Sequence, residues 1–128
     1  MKKLLAFSAL VVALSGPALA QDGQNRVDNG KAEQRAGTAE MNNGTNEVGN
    51  GKAEQAAGAA DKNKAAQLRA SGNYRAAAAE QRRGAALERK GTSKVVQGRA
   101  KQAQGKRVQN AGTHKVIQGR KIEKGAQH

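Results

Sequence analysis

The sequence predicts a mainly α or disordered, low-complexity repeat protein, with helix around residues 56–90 and no globular core. Three observations carry that class. Glycine recurs every seventh residue, at Gly23, Gly30, Gly37, Gly44, Gly51 and Gly58 and again from Gly84 through Gly91, Gly98, Gly105, Gly112 and Gly119. Ala65 takes one glycine place, Gly72 the next, and a break of twelve residues separates Gly72 from Gly84. The bulky apolar residues beyond position 20 are Val27, Met41, Val48, Leu68, Tyr74, Leu87, Val95, Val96, Val108, Val116, Ile117 and Ile122. They are too few to offset the entropy of ordering the chain around a conventional core. Alanines crowd around Ala65-Ala66-Gln67-Leu68-Arg69 and Ala76-Ala77-Ala78-Ala79-Glu80-Gln81, where helix is intrinsically cheapest.

Residues 1–20 read as a signal peptide. Lys2 and Lys3 precede an apolar run from Leu4 to Leu14, followed by Gly16-Pro17 and the small-residue site Ala18-Leu19-Ala20. Cleavage is expected after Ala20, placing the protein in the periplasm or outside the cell. The apolar run is well short of the roughly 18 residues that cross a bilayer. The sequence has no cysteine, so neither a disulfide framework nor a lipid-attachment thiol is available.

Two segments follow. Residues 21–64 are near-neutral glycine heptads, with six basic and seven acidic side chains. Residues 65–128 are basic and rich in Ala, Gly and Gln, with fifteen basic and three acidic side chains. The net charge is +13 overall, and loss of Lys2 and Lys3 with the leader makes it +11. Such asymmetry points to an anionic partner.

The heptads come in two versions. One is Gly-Lys-Ala-Glu-Gln at Gly30 and Gly51, echoed by Gly98-Arg99-Ala100-Lys101-Gln102. The other places Thr after the glycine and a large aliphatic three residues later, as in Gly44-Thr45-Asn46-Glu47-Val48, Gly91-Thr92-Ser93-Lys94-Val95 and Gly112-Thr113-His114-Lys115-Val116. Identity is strongest at three heptads, the mark of a repeat protein. Glu33, Glu40, Glu47, Glu54 and Asp61 would form one stripe on a helix, expected as a solvated face and too extended to chelate one calcium ion.

Thirteen heptad-phased glycines would cost one long helix about 13 kcal/mol relative to alanine, so helix is expected around 56–90 and weak order elsewhere. The alternative is a β-solenoid with 21-residue coils, in which each glycine turns a corner. Asn29-Gly30, Asn43-Gly44 and Asn50-Gly51 would be its turns, and Lys94–Gln97 and Lys115–Gln118 its strands.

Gly51-Lys52-Ala53-Glu54-Gln55-Ala56-Ala57-Gly58, Asp61-Lys62 and Leu68-Arg69-Ala70-Ser71-Gly72 resemble the CsbD family of small bacterial stress-response proteins. Gly98 through Gln109 resembles the same heptad pair again. The resemblance implies a hydrophilic, glycine-rich, largely or conditionally helical protein accumulated under stress, with no catalytic site. Export and the Gly, Asn and Gln content are also similar to curli-type secreted fibre subunits, which would make the chain a structural, self-associating one.

No catalytic constellation is visible. His114 and His128 lack metal-binding neighbours, no Gly-Lys is followed by Ser or Thr at phosphate-loop spacing, and Ser71 and Ser93 sit in no nucleophile elbow. An enzyme, a cofactor and a specific small-molecule substrate are not expected. The positive signal is the basic half. Arg82, Arg83, Arg89, Lys90, Arg99, Lys101, Lys106, Arg107, Arg120 and Lys121 are the candidate anion-binding residues, from a set that also holds Arg69, Arg75, Lys94, Lys115 and Lys124. Their partner would be a nucleic acid, lipopolysaccharide, acidic polysaccharide or anionic membrane surface, held by charge alone. Tyr74 is the only aromatic residue beyond the leader, so bases would find almost no stacking platform.

Overall fold

In a computed structural model the backbone is described from residue 5 to residue 127 and the side chains from residue 17 to residue 127. Lys2, Lys3 and His128 lie outside the described residues, as do the side chains of the apolar run of the leader. Two α-helices make up almost all of it: α1, Leu5–Ala70, and α2, Tyr74–Ala126. The helix expected around 56–90 is present but broken at Ser71–Asn73, and helix extends far beyond it on both sides.

Two expectations are corrected. The β-solenoid reading fails, since the described residues contain no strand and the proposed strands Lys94–Gln97 and Lys115–Gln118 lie inside α2. The proposed corners at Gly30, Gly44 and Gly51 are interior turns of α1. Weak order outside 56–90 fails too, because the helical cost of the glycines is offset by what they do between helices.

Two caps close the turn. Gly72 has φ +81°, a left-handed conformation that costs other L-residues about 1–2 kcal/mol. Its N–H reaches the Arg69 carbonyl at 3.0 Å and that of Asn73 reaches Leu68 at 2.9 Å, the two bonds of a Schellman motif. Asn73 then opens α2, its Oδ1 accepting from the Ala76 N–H at 3.3 Å.

The chain forms two compact units, one combining residues up to Thr38 with those from Gly105, the other Ala39–Gln104. In the first, Gly23, Gly30 and Gly37 of α1 face Gly119, Gly112 and Gly105 of α2. In the second, Gly44, Gly51 and Gly58 face Gly98, Gly91 and Gly84. Ala65 and Ala77, both fully buried, hold the next matching places in the count. Each step of seven forward on α1 is met by a step of seven back on α2, so the paired segments are antiparallel.

Contact in both units is close. A Cβ built on Gly51 would stand 2.6 Å from the Gly91 carbonyl oxygen, and one built on Gly44 2.5 Å from that of Gly98. The glycine hydrogen that replaces Cβ therefore points at a carbonyl of the opposite helix, in the manner of a Cα–H···O contact worth about 0.5–1 kcal/mol. Buried apolar side chains are few among the described residues, with Val27, Ala65, Ala77 and Val116 making up the set.

The two heptad versions turn out to be partners. We letter each heptad a to g from its glycine. Residue e of one helix covers glycine a of the other, as Val95 covers Gly51 and Gln55 covers Gly91. Where e is glutamine, its amide donates to a threonine at b across the seam: Gln34 to Thr113 at 3.0 Å, Gln55 to Thr92 at 3.0 Å, Gln102 to Thr45 at 2.9 Å and Gln109 to Thr38 at 3.4 Å. Each threonine hydroxyl donates in turn to the carbonyl four residues earlier, as Thr92 does to Glu88 at 2.8 Å and Thr45 to Met41 at 2.9 Å. A glutamine heptad thus always meets a threonine heptad. From Gly30 to Gly51, α1 runs glutamine, threonine, threonine, glutamine, and the facing α2 heptads supply the complement.

This packing makes opposite predictions for two glycines of one helix. Gly51→Ala should destabilise by about 1–3 kcal/mol, because its methyl meets backbone rather than a movable side-chain end. A Cβ added at Gly49 would meet only open space, so Gly49→Ala should stabilise by about 1 kcal/mol. Thermal melts followed by circular dichroism at 222 nm decide it; equal shifts would refute the close seam.

Candidate functional site

The acidic stripe of α1, expected as a solvated face, lies instead along the seam at position d, and its carboxylates are half-buried. Lysine commonly occupies d on α2, so opposite charges meet there. Glu33 pairs with Lys115; Glu47 with Lys101 at 3.0 Å; Glu54 with Lys94 at 2.7 Å and Lys90 at 3.3 Å; and Asp61 with Arg83 at 3.2 Å. Two acids of α2 are engaged in the same way, Glu80 with Lys64 at 2.7 Å and Glu88 with Lys62. The seam therefore consumes carboxylates of both helices and leaves much of the positive charge of α2 outside it.

The ten candidate residues divide accordingly. Arg83, Lys90 and Lys101 belong to the seam pairs. Arg82, Arg89 and Arg99 are exposed in the unit Ala39–Gln104, and Lys106, Arg107, Arg120 and Lys121 are exposed in the other. None of these seven forms an ion pair among the described residues. His114 is exposed, and no group of three or more His, Cys, Asp or Glu side chains able to hold a metal ion occurs among the described residues. No described helix is long and apolar enough to cross a membrane.

The frame of the seam reveals one residue that the candidate set omits. Arg75, Arg82 and Arg89 all fall at f and all are exposed. Their neighbours three and four places away on the helix are Ala78, Ala79, Ala85, Ala86, Thr92 and Ser93. No carboxylate stands where an intrahelical partner would have to be. The seven-residue spacing of these arginines was visible in the sequence; that they face outward follows only once the glycines face in.

Two seam carboxylates are held below the ordinary range. For Glu54 the main cause is the hydrogen bond from Lys94; burial opposes it and Lys90 reinforces it. For Glu80 it is the hydrogen bond from Lys64, again against burial. A carboxyl whose folded pKa is depressed stabilises the fold above its unfolded value of about 4.3, and that contribution is lost as pH falls through the folded value. The melting temperature at low salt should therefore be flat from about pH 6 to 8 and drop as pH goes from about 5 to 3, with a smaller drop in Glu54→Gln. A melting temperature that rises over that interval would contradict the pairing.

Compared with family models, curated proteins and solved structures, the chain matches none of them.

Proposed function

We propose that this is an exported, non-catalytic helical protein of the cell envelope that works by adsorbing to anionic polymers there through α2, with a protective role. The observation that carries the reading is the division of charge. Glu33, Glu47, Glu54, Asp61, Glu80 and Glu88 are paired across the seam, while Arg82, Arg89, Arg99, Lys106, Arg107, Arg120 and Lys121 stand exposed. Helix fixes their spacing in advance, so little backbone entropy is spent when a polyanion docks.

Guanidinium groups suit this task, since their planar fork can grip a carboxylate or phosphate at two points. Export rests on the lysines, apolar run and small-residue site of the first twenty residues. The Gly-Lys-Ala-Glu-Gln heptads that resemble the CsbD family have a structural task here, since Gly51, Glu54 and Gln55 each meet α2. The resemblance accordingly supports a hydrophilic helical protein and bears less on the partner.

Fluorescence anisotropy of labelled residues 21–128 against lipopolysaccharide, a polyuronate and neutral dextran tests the proposal. Binding to the two polyanions at 50 mM NaCl should weaken at least tenfold by 300 mM, with none to dextran. No binding at low salt, or binding indifferent to salt, would overturn it.

A further inference from the structure

We infer that Arg75, Arg82 and Arg89 form a single-file ladder that takes a linear acidic polysaccharide lying along α2. The inference rests on the polyanion-binding reading and names its site and ligand class. Seven residues advance a helix by about 10.5 Å, so the three guanidinium groups are rooted at regular steps on one line of about 21 Å. All three lie in the unit Ala39–Gln104 and are exposed.

The ground between the arginines is low. Ala78, Ala79, Ala86 and Ser93 are exposed and short, so a polymer can come near the helix surface without displacing long side chains. Nearby acids do not compete, because Glu80 is bridged to Lys64 and Glu88 to Lys62. The arginines thus offer a row of bidentate donors to charges borne by one strand.

The same arrangement disfavours nucleic acid. A duplex presents two phosphate backbones on either side of a groove about 12 Å wide, which calls for cations on both flanks of the helix. Here one flank holds Ala78, Ala85 and Thr92, and the other Ala79, Ala86 and Ser93, beyond which Arg83 and Lys90 are engaged with Asp61 and Glu54. A single-stranded nucleic acid would want aromatic platforms, and only Tyr74 is near. A polymer with carboxylates in single file meets the ladder as it stands.

The test compares the whole chain with two triple variants of equal charge loss. One is R75Q/R82Q/R89Q. The other, K31Q/R35Q/K52Q, changes exposed cations of α1 that take no part in the seam pairs. Sodium alginate, a linear polyuronate, and a 20-base-pair DNA duplex serve as probes at 100 mM NaCl, with circular dichroism to show that both variants stay helical. The ladder variant should bind alginate at least tenfold more weakly and the control variant less than threefold. Equal losses in the two variants would overturn the ladder while leaving polyanion binding in place. Failure of the unaltered chain to bind either probe would overturn both. Tighter binding of the duplex than of alginate, lost in the ladder variant, would overturn the polysaccharide as ligand.

Discussion

A Cβ on Gly51 or Gly44 would meet a carbonyl oxygen of the opposite helix well inside van der Waals contact, so these backbones can approach as they do only because both sides of the seam lack one. From that approach the rest follows. Residues at d and e of one helix are brought over the backbone of the other, where valine covers glycine, lysine meets glutamate and glutamine reaches threonine. A leucine-based seam would hold the helices farther apart and depend on large side chains, of which this chain has few. Glycine costs each helix propensity. It returns dispersion and Cα–H···O contact between the helices.

Specificity of pairing comes from the side chains around the glycines. Glycine alone would let the helices slip by whole heptads, since one glycine fits a carbonyl as well as another. The alternation of glutamine and threonine heptads removes that freedom. A slip of one heptad would set Gly30 against Gly105 and Gly44 against Gly91, placing two glutamine heptads together and two threonine heptads together. The amides and hydroxyls there would then exchange each other for water, a loss of about 0.5–1.5 kcal/mol for each bond given up. Two copies of the same helix, packed antiparallel, would meet the same mismatch and would also bring the acidic positions of α1 against each other.

Charge is sorted by the same frame. Lysine at d on α2 answers glutamate at d on α1, so the composition difference between the two segments is in part a record of seam partnership. What lies outside the seam is the excess, and it is mostly arginine and lysine on α2. The outward f positions from Arg75 to Arg89 are the simplest part of that excess, because alanine, serine and threonine surround them and every acid nearby already has a partner.

The repeat, its two heptad versions, the charge asymmetry and the alanine-rich centre were legible in the sequence, because periodicity and composition are local properties. The turn was not: the alanine-rich centre reads as one helix over 56–90, although the glycine count carries a trace of the interruption. The break of twelve residues between the places of Ala65 and Ala77 is about a third of a helical turn out of phase, so the two glycine sets cannot share one face of an uninterrupted helix. What the sequence could not decide was the meaning of the glycines. Judged one residue at a time they cost helix, and the same spacing serves as corners of a solenoid; the acid stripe likewise reads as solvated when its lysines are forty or eighty residues away. Only the tertiary structure puts Gly51 on Gly91 and Glu54 on Lys94. Their stabilisation is interhelical, absent from either segment alone, and it is what turns a costly residue in each helix into the contact that joins them.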